Sequence, residues 1–262
     1  MPRFHIPPDD WNPEELTLTE EEAHHLAHVL RMKAGESVTV FNGRGVEATA
    51  EIVDVQRDRV QLKSLSVKTS DTLASTIAIG QAIPKGKNME LIVQKATELG
   101  AAAVHPLITD RTIVRIDARE AAKKQEKWSR VALEACKQSG QNWMPEVTIP
   151  RTPAEFFADR TISYDLKLVA SLQPDARHLR SLISEVETHT GRRPQSAIVL
   201  IGPEGDFTAA EIDAAKSAGY LPLNLGPIVL RTETAAIHAL SILGYELHNI
   251  SPRAWEQTSS RK

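Results

Sequence analysis

The sequence predicts an α/β fold, a parallel sheet with helices on both faces, preceded by a small β-rich domain. Before residue 70, apolar residues recur at alternate positions, the period of a strand buried on one face. After residue 75, strands that are apolar throughout alternate with amphipathic helices, a pattern typical of a parallel sheet covered on both sides. The length of 262 residues favours a small domain followed by a larger one.

The first domain is expected to contain one helix and an antiparallel meander or small barrel. Thr19 and Glu22 have the spacing of a capping box, and apolar residues follow them at helical intervals. Period-two segments then predict strands at 37–41, 45–55 and 59–67, joined by the turns NGRG and QRD. The polar segment KTSDTLAS is the expected linker.

The second domain is expected to alternate strands and helices. Strands are predicted at 76–83, 103–108, 166–172, 196–201 and 221–225. Helices are predicted from about Met89 to Gly100 and at 118–139, 208–218 and 233–247. Thr208 and Glu211 give the third of these a capping box. Ligands of such sheets bind at the carboxyl ends of the strands.

Composition excludes several classes of protein. No apolar run approaches the roughly 18 residues that cross a bilayer, and the N-terminus lacks the apolar core of a secretory signal. A single cysteine, Cys136, excludes an internal disulfide, so a cytoplasmic protein without a membrane anchor is expected. The net charge of −3 argues against wholesale non-specific binding of nucleic acid but leaves local basic patches open.

Three segments, SLQPD, GPEGD and GPIVLRTETA, follow the ends of the last three predicted strands, and such loops can converge on one crevice. Gly202 and Gly205 allow close approach of the backbone to a ligand, although they also serve any tight strand-to-helix turn. The glycine signatures of dinucleotide-binding and P-loop proteins are missing, and Glu204 and Asp206 would repel a polyphosphate. A cationic ligand or a neutral adenosine therefore fits better.

The third segment crowds polar groups onto the start of a helix. Thr232 is expected as the N-cap, and Glu233 is favoured in the first turn by the helix dipole. Arg231 has no such structural explanation, so it either binds an anionic group or pairs with Glu233.

Metal and nucleophile chemistry find little support in the sequence. His24 and His28 are four residues apart but have no third ligand at metal spacing, so no metal is expected. No GxSxG segment occurs, and Cys136 lies on the apolar face of a predicted helix, which disfavours a nucleophilic hydrolase.

Four segments in register, KGKNMELIVQKATELG, RVALEACKQSG, IGPEGDFT and LNLGPIVLRTETAA, resemble the RsmE family of 16S ribosomal RNA uracil-N3 methyltransferases. The resemblance runs from about residue 3 to residue 247. It implies a SPOUT-superfamily fold, with a PUA-like RNA-binding β-barrel domain at 1–72, a trefoil-knotted methyltransferase domain at 73–250 and a tail at 251–262. It also implies S-adenosylmethionine as cofactor, a homodimer, and 16S ribosomal RNA or the small ribosomal subunit as partner.

The resemblance assigns residues to the cofactor by motif position. These are Leu172, Ile201, Gly202, Gly205, Leu225, Gly226, Leu230 and Thr232. The candidate catalytic residues are Arg231, to stabilise the anion that develops on uracil, and Glu204 or Glu233, as base or orienting group. The candidate RNA contacts are Arg3, Arg31, Arg44, Lys85, Lys87 and Arg111.

The sequence departs from the family at two positions. Asp206 stands where a glycine is usual, and Ile228 stands where an arginine is usual. These departures keep open the alternative of a non-catalytic RNA-binding protein with the same fold. A related methyltransferase that acts on another base or a ribose is a second alternative. A nicotinamide-dependent dehydrogenase is disfavoured by the missing glycine signature.

Overall fold

The computed structural model describes residues 1–112 and 117–248. The described residues divide into two compact units, one formed by residues 1–72 with 132–144, the other by residues 73–112, 117–131 and 145–248. The sequence did not indicate that 132–144 belongs with the N-terminal residues. The expected tail at 251–262 lies outside the described residues, and the domain boundaries themselves stay a prediction.

The first unit contains a five-stranded sheet with the order β1-β3-β4-β5-β2. Its strands are β1 Arg3–His5, β2 Leu16–Thr19, β3 Ser37–Phe41, β4 Val46–Val55 and β5 Arg59–Thr69. The three predicted strands, β3 to β5, are antiparallel neighbours, as expected. The antiparallel arrangement of these three strands is therefore confirmed, whereas two further strands were not predicted: β1 adds to β3 in parallel, and β2 pairs with β5 at the other end.

The helix of the first unit begins differently from the prediction. Helix α1 covers Glu20–His24 and continues into a π-helical turn, His25–Val29. The capping box expected from Thr19 is absent. The Glu22 carboxylate instead accepts a hydrogen bond from the His5 backbone N–H at 3.3 Å and pairs with Lys137. It therefore does not bond to the backbone at the start of its own helix.

A polar network joins residues 132–144 to the sheet of the first unit. The Arg3 guanidinium pairs with the Glu47 carboxylate at 3.0 Å and donates to Asn142 Oδ1 at 2.7 Å. The Trp143 ring N–H donates to the Ser70 carbonyl at 2.9 Å. Below the network, the alternating apolar residues of all five strands form one buried cluster.

The second unit contains a six-stranded sheet with the order β11-β9-β10-β6-β7-β8, in which every pairing is parallel. Its strands are β6 Thr76–Ala82, β7 Ala103–Leu107, β8 Glu146–Val147, β9 Leu166–Ala170, β10 Ser196–Ile201 and β11 Leu221–Leu223. The remaining helices are α2 Asn88–Glu98, α3 Ala118–Ser139, α4 Pro153–Ala158, α5 Leu179–Thr190, α6 Ala209–Ser217 and α7 Thr232–Leu247. The division between the units falls within α3.

Helices cover both faces of this sheet. Phe156 of α4 and Ile212 of α6 pack with Ile198 and Leu200 of β10 in one buried cluster. On the other face, α7 lies against β6 and β10 and also contacts α2. The α/β fold, its parallel sheet and the small N-terminal β-domain are therefore confirmed, whereas the trefoil knot stays an implication of the resemblance.

Candidate functional site

A cavity of about 700 Å³ opens at the carboxyl edge of the parallel sheet. Its walls are the three loops that follow the neighbouring strands β9, β10 and β11, together with the start of α7. The convergence of the three loops, expected from their positions after parallel strands, is confirmed. The residues that line the cavity are Asn88, Ala170, Ser171, Leu172, Ile201, Gly202, Pro203, Glu204, Asp206, Leu223, Asn224, Leu225, Gly226, Pro227, Ile228, Val229, Leu230, Arg231, Thr232, Glu233 and Ala235.

Local hydrogen bonds fix the first and third loops. The Ser171 N–H donates to the Leu223 carbonyl at 3.0 Å, which joins the loop after β9 to β11. The Asn224 side chain accepts the Gly226 N–H at 2.7 Å. Gly226 has a φ of 120°, a conformation that side chains disfavour, so a glycine is required there.

The second loop is tied to its neighbours through its carbonyl and carboxylate groups. The Glu204 carboxylate accepts the Lys85 backbone N–H at 2.9 Å. The Arg111 guanidinium donates to the Gly205 carbonyl. Asp206 has a φ of 60°, and its side chain accepts the N–H of Phe207 at 2.7 Å. These bonds restrain the second loop, which contains two glycines.

The loop leads into α6 through the predicted capping box, which is confirmed. The Thr208 side chain accepts the Glu211 N–H at 3.3 Å, and the Glu211 carboxylate accepts the Thr208 N–H at 2.8 Å. The same carboxylate accepts the Asp110 N–H at 2.9 Å. Glu211 thus ties the start of α6 to the segment that follows β7.

Thr232 occupies a different position from the one predicted. The N-cap of α7 is Arg231, and Thr232 is the first helical residue, with a side chain that is not a cap. Its hydroxyl is buried, donates to the Gly202 carbonyl at 2.7 Å and accepts from Gln81 Nε2 at 3.1 Å. The hydroxyl is committed to the second loop, which explains why it does not cap its own helix.

The cavity contains most of the residues that the resemblance assigned to the cofactor. Leu172, Ile201, Gly202, Leu225, Gly226, Leu230 and Thr232 line it. Gly205 is not among the described residues of its wall. The individual roles of these residues stay predictions.

The three candidate catalytic residues, Arg231, Glu204 and Glu233, also line the cavity. The alternative in which Arg231 pairs with Glu233 is wrong, because Arg231 is exposed and forms no ion pair within residues 1–112 and 117–248. The Glu233 carboxylate instead accepts from the Asn88 amide at 3.4 Å. One guanidinium and several carboxylates therefore face the same space, which favours a ligand with positive charge.

The candidate RNA contacts occupy different surroundings. Arg31, Arg44, Lys85 and Lys87 have exposed side chains, and the last two lie on the segment between β6 and α2. Arg3 is half-buried in its ion pair, and Arg111 is bonded to loop carbonyls. These two guanidinium groups have structural partners and are the weaker candidates.

The described residues do not support metal or thiolate chemistry. Among them, no group of three or more histidine, cysteine, aspartate or glutamate side chains could hold a metal ion. Burial raises the pKa of the Cys136 thiol to about 12, so the nucleophilic thiolate is scarce. Within residues 1–112 and 117–248, no helix combines the length and the apolar character that crossing a bilayer requires.

Sequence reasoning missed some polar residues of the cavity wall, notably Asn88, Ser171 and Asn224. Asn88 belongs to the segment that follows β6, and the rule that ligands bind beyond the carboxyl ends of parallel strands could have identified it. Ser171 and Asn224 are the neighbours of the predicted cofactor residues Leu172 and Leu225, so their positions in the sequence could have indicated that they line the cavity.

Family models and relatives of known name match most of this chain. A family model described as an RNA methyltransferase domain matches residues 71–244, and one described as an RNA methyltransferase PUA domain matches residues 18–64. Ribosomal RNA small subunit methyltransferase E of Bacillus subtilis is 32% identical over 235 residues, which cover 88% of this chain and 90% of the relative.

Two solved structures are similar over nearly the whole chain. Ribosomal RNA small subunit methyltransferase E of Neisseria gonorrhoeae, bound to S-adenosyl methionine, is 30% identical with a TM-score of 0.83, covering 96% of this chain and 100% of that one. The protein Lpg2936 of Legionella pneumophila, in complex with the bound cofactor SAM, is 38% identical with a TM-score of 0.82, covering 93% and 97% of the two chains.

Proposed function

Because this chain belongs to the RNA methyltransferase family that includes the ribosomal RNA small subunit methyltransferases E, we propose that it methylates N3 of a uracil in 16S ribosomal RNA. S-adenosylmethionine is the proposed methyl donor. The observation that carries the proposal is the cavity at the carboxyl edge of the sheet, whose wall contains the loop residues that the family motifs nominate.

The cavity suits this donor in size and chemistry. Its volume of about 700 Å³ lies within the range of about 300–1,000 Å³ that is usual for cofactor sites. Leu172, Leu225 and Leu230 give apolar surface for an adenine ring, and the loop backbones give hydrogen-bonding groups. The carboxylates of Glu204 and Glu233 are compatible with a sulfonium, whereas they would oppose a polyphosphate.

S-adenosylmethionine supplies an electrophilic methyl group when it is bound. Transfer requires that the N3–H proton of uracil leaves, that the N3–CH₃ bond forms and that the S–CH₃ bond breaks, with its electron pair remaining on sulfur. The residues of this chain then have two tasks, to stabilise the anion that develops on the uracil and to receive the proton.

Arg231 is the proposed anion-stabilising group. Its guanidinium is exposed at the cavity, fixed in sequence to the start of α7, and not committed to an ion pair within the described residues. The resemblance places Ile228 where an arginine is usual, so we propose that Arg231, or a residue of the proposed second subunit, supplies that charge.

Glu204 and Glu233 are the alternatives for the group that receives the proton or orients the base. Glu204 is held by the Lys85 N–H, and Glu233 by the Asn88 amide. The two roles separate by experiment. If Glu204 receives the proton, Glu204→Gln should lose turnover at saturating donor and RNA, and Glu233→Gln should change only an affinity. If Glu233 receives the proton, the two results should be exchanged.

We propose a cytoplasmic location, because small ribosomal subunits are found there.

We also propose that exposed cations of both units bind RNA. Lys85 and Lys87 are the favoured phosphate contacts because they are exposed and Lys85 adjoins Glu204 at the cavity. Replacing both lysines with alanine should weaken RNA binding and reduce its salt dependence, measured as the slope of log affinity against log salt.

A homodimer is proposed on the resemblance. It is supported by exposed apolar side chains beside the cavity, Leu172, Ile228 and Val229, and by Tyr245 of α7, which is 80% exposed. Light scattering at micromolar concentration should give twice the chain mass of 28.9 kDa, and a monomer at that concentration would contradict the proposal.

Two measurements test the function. Calorimetry should detect binding of S-adenosylmethionine, and nucleoside mapping of ribosomal RNA from cells with and without the gene should show one N3-methyluridine that depends on it. A different modified base or a methylated ribose would favour the related methyltransferase. Binding of RNA without any binding of the donor would favour the non-catalytic protein.

Arg231→Ala tests the mechanism. We expect methyl transfer to fall by about a hundredfold or more while the affinity for S-adenosylmethionine stays within about threefold of the wild type, because the guanidinium acts on the uracil. Undiminished transfer would remove Arg231 from the catalytic role and direct attention to the other subunit.

A further inference from the structure

Gln81, near the end of β6, is a buried polar residue whose presence the packing of the sheet does not explain. Its side chain is fully buried. The amide Nε2 donates to the Ala82 carbonyl at 2.8 Å and to Thr232 Oγ1 at 3.1 Å. The other end of the amide, Oε1, is buried and has no hydrogen-bond partner in the described part of the chain.

Stability alone does not account for a glutamine at this position. A buried acceptor without a partner costs about 1–3 kcal/mol, which offsets the gain from the two bonds that Nε2 makes. An unbranched apolar side chain of similar length, such as methionine, would fill the same space without that cost. The stability of the folded state therefore does not explain the amide group, which calls for a functional explanation.

The bond from Gln81 determines where the Thr232 hydroxyl donates its proton. A hydroxyl has a single proton, and Gln81 Nε2 occupies one acceptor position of the oxygen. The proton is thereby directed to the Gly202 carbonyl, 2.7 Å away. The residue after Gly202 is Pro203, which lacks an N–H. The orientation of this peptide unit thus depends on its carbonyl, for which Thr232 is the side-chain donor.

This chain of hydrogen bonds joins three segments that surround the cavity. It runs from Gln81 in β6 through Thr232 at the start of α7 to Gly202 in the loop after β10. Both Thr232 and Gly202 line the cavity, whereas Gln81 lies behind them and is not part of its wall. A change at Gln81 can therefore alter the cavity without removing any group that a ligand touches.

We propose that Gln81 is a positioning residue of the methyl-donor site, which orients the Gly202 carbonyl through Thr232 and so preorganises the second loop for S-adenosylmethionine. This inference rests on the proposed function. Preorganisation lowers the entropy that binding must remove from the loop, so losing it weakens binding even when every contact residue remains.

Gln81→Met is the first test, with Thr97→Val as the matched control. Thr97 is buried in α2 and its hydroxyl donates to the Val93 carbonyl at 2.9 Å, so the control also deletes a buried hydrogen bond, away from the cavity wall. We expect Gln81→Met to raise the Kd for S-adenosylmethionine about tenfold with little change in Tm. Thr97→Val should lower Tm and leave the Kd unchanged.

Gln81→Glu gives an independent readout. When the carboxyl group is neutral its O–H can donate to Thr232 as the amide does, and when it is ionised it can only accept. The Kd of this variant should therefore rise as pH rises, by severalfold more than the Kd of the wild type over the same range. A merely structural role for Gln81 would not produce this divergence.

The outcomes separate the inference from the proposed function. If the wild type does not bind S-adenosylmethionine, both are overturned. If the wild type binds and Gln81→Met binds equally tightly, or if the Kd of Gln81→Glu follows the wild type at every pH, the inference alone is overturned. Failure of both Gln81 variants to fold would also overturn it, because Gln81 would then act on stability.

Discussion

His105 of β7 shows how a buried titratable side chain makes stability depend on pH. Its ring nitrogens lie 3.3 Å from Thr148 Oγ1 and 3.4 Å from the Tyr164 hydroxyl. Burial, assisted by the charge of Arg151 and opposed by Asp159, lowers the pKa of His105 from 6.5 to about 4. The folded protein therefore holds this imidazole neutral under conditions in which the unfolded chain protonates it.

The sign of the effect follows from proton linkage. Between pH 6.5 and about 4 the unfolded state binds the proton and the folded state does not, so the free energy of unfolding should fall by about 2–4 kcal/mol as pH decreases through this range. His105→Gln should remove this part of the pH dependence in urea titrations. The exposed His189→Gln is the control, and an unchanged slope in the His105 variant would contradict the prediction.

Asp206 gives a second prediction at the scale of one residue. Its φ of 60° lies in the left-handed region, where a side chain costs about 1–2 kcal/mol and glycine costs little. Asp206→Ala keeps this strain and loses the bond to the Phe207 N–H, whereas Asp206→Gly loses the bond but relieves the strain. We expect the alanine variant to be less stable than the glycine variant by about 1 kcal/mol.

The same pair of substitutions at Asp213 is the control for Asp206. Asp213 is exposed within α6, where alanine should be more stable than glycine by about 1 kcal/mol. Opposite orders at the two positions would support the strain argument, and the same order at both would refute it. The glycine that the resemblance implies as usual at position 206 would adopt this backbone conformation with little strain.

Three polar side chains, Thr208, Thr232 and Gln81, differ in how far the sequence could predict their hydrogen bonds. Thr208 caps α6 as predicted, because both partners of its box lie within one helical turn. Thr232 also precedes a helical pattern and was predicted as an N-cap, but its hydroxyl bonds to Gly202. Nothing in the sequence around Gln81 indicated its bond to Thr232. Contacts between residues far apart in sequence decide these two cases, and periodicity and capping patterns do not contain them.

At the scale of elements, strand β6 depends on a glycine for its packing. Gly80 lies in register with Leu200 of β10, and a Cβ atom at Gly80 would lie 2.4 Å from Leu200 Cδ2. Leu200 is buried in the cluster under α4 and α6, so it has little room to move. Close approach, and not a turn, explains this glycine within a strand.

Gly80→Ala should therefore lower the free energy of unfolding by about 1–3 kcal/mol. Leu200→Val removes the δ carbons, so the two substitutions together should be less costly than the sum of their separate effects, by about 1 kcal/mol or more. A double-mutant cycle by urea unfolding measures this coupling. Additive costs would show that the predicted steric conflict with Leu200 is wrong.

The strength of the local pattern decided which elements could be predicted. Helix α3 was predicted with its observed bounds, Ala118–Ser139, because a long amphipathic pattern averages out single exceptions. Strand β8, Glu146–Val147, and helix α4, Pro153–Ala158, were missed because so few residues give no period. Helix α5, Leu179–Thr190, was missed although its apolar residues Leu179, Leu182, Ile183 and Val186 recur at helical intervals, so the sequence did contain the signal for it.

At the scale of the whole molecule, the cavity was more predictable than the division of the chain. Loops that follow neighbouring parallel strands meet at the same edge of the sheet. The positions of these loops in the sequence were therefore enough to predict that Leu172, Gly202 and Thr232 line one cavity. Residues 132–144 instead join the N-terminal unit from the end of a helix in the middle of the chain. Their sequence shows a helical face without showing what that face packs against.

This division gives a prediction about folding. The Gly45 N–H donates to the Asn142 carbonyl at 2.8 Å, and the Met144 N–H donates to the Gly43 carbonyl at 3.0 Å. Without residues 132–144 these backbone groups and the Arg3 side chain lose partners, each at a cost of about 1–3 kcal/mol where it stays buried. A domain of this size has a total stability of only about 5–15 kcal/mol.

A fragment of residues 1–72 alone should therefore unfold at a much lower urea concentration than the same residues do in the full chain, or lack a cooperative transition. Joining 132–144 to this fragment through a flexible glycine-serine linker should restore part of the difference, because it returns the partners of Arg3 and Gly45. A scrambled 132–144 segment on the same linker is the control. If residues 1–72 unfold cooperatively at the midpoint of the full chain, the boundary expected at residue 72 delimits an independent domain, and the bonds from 132–144 contribute little to its stability.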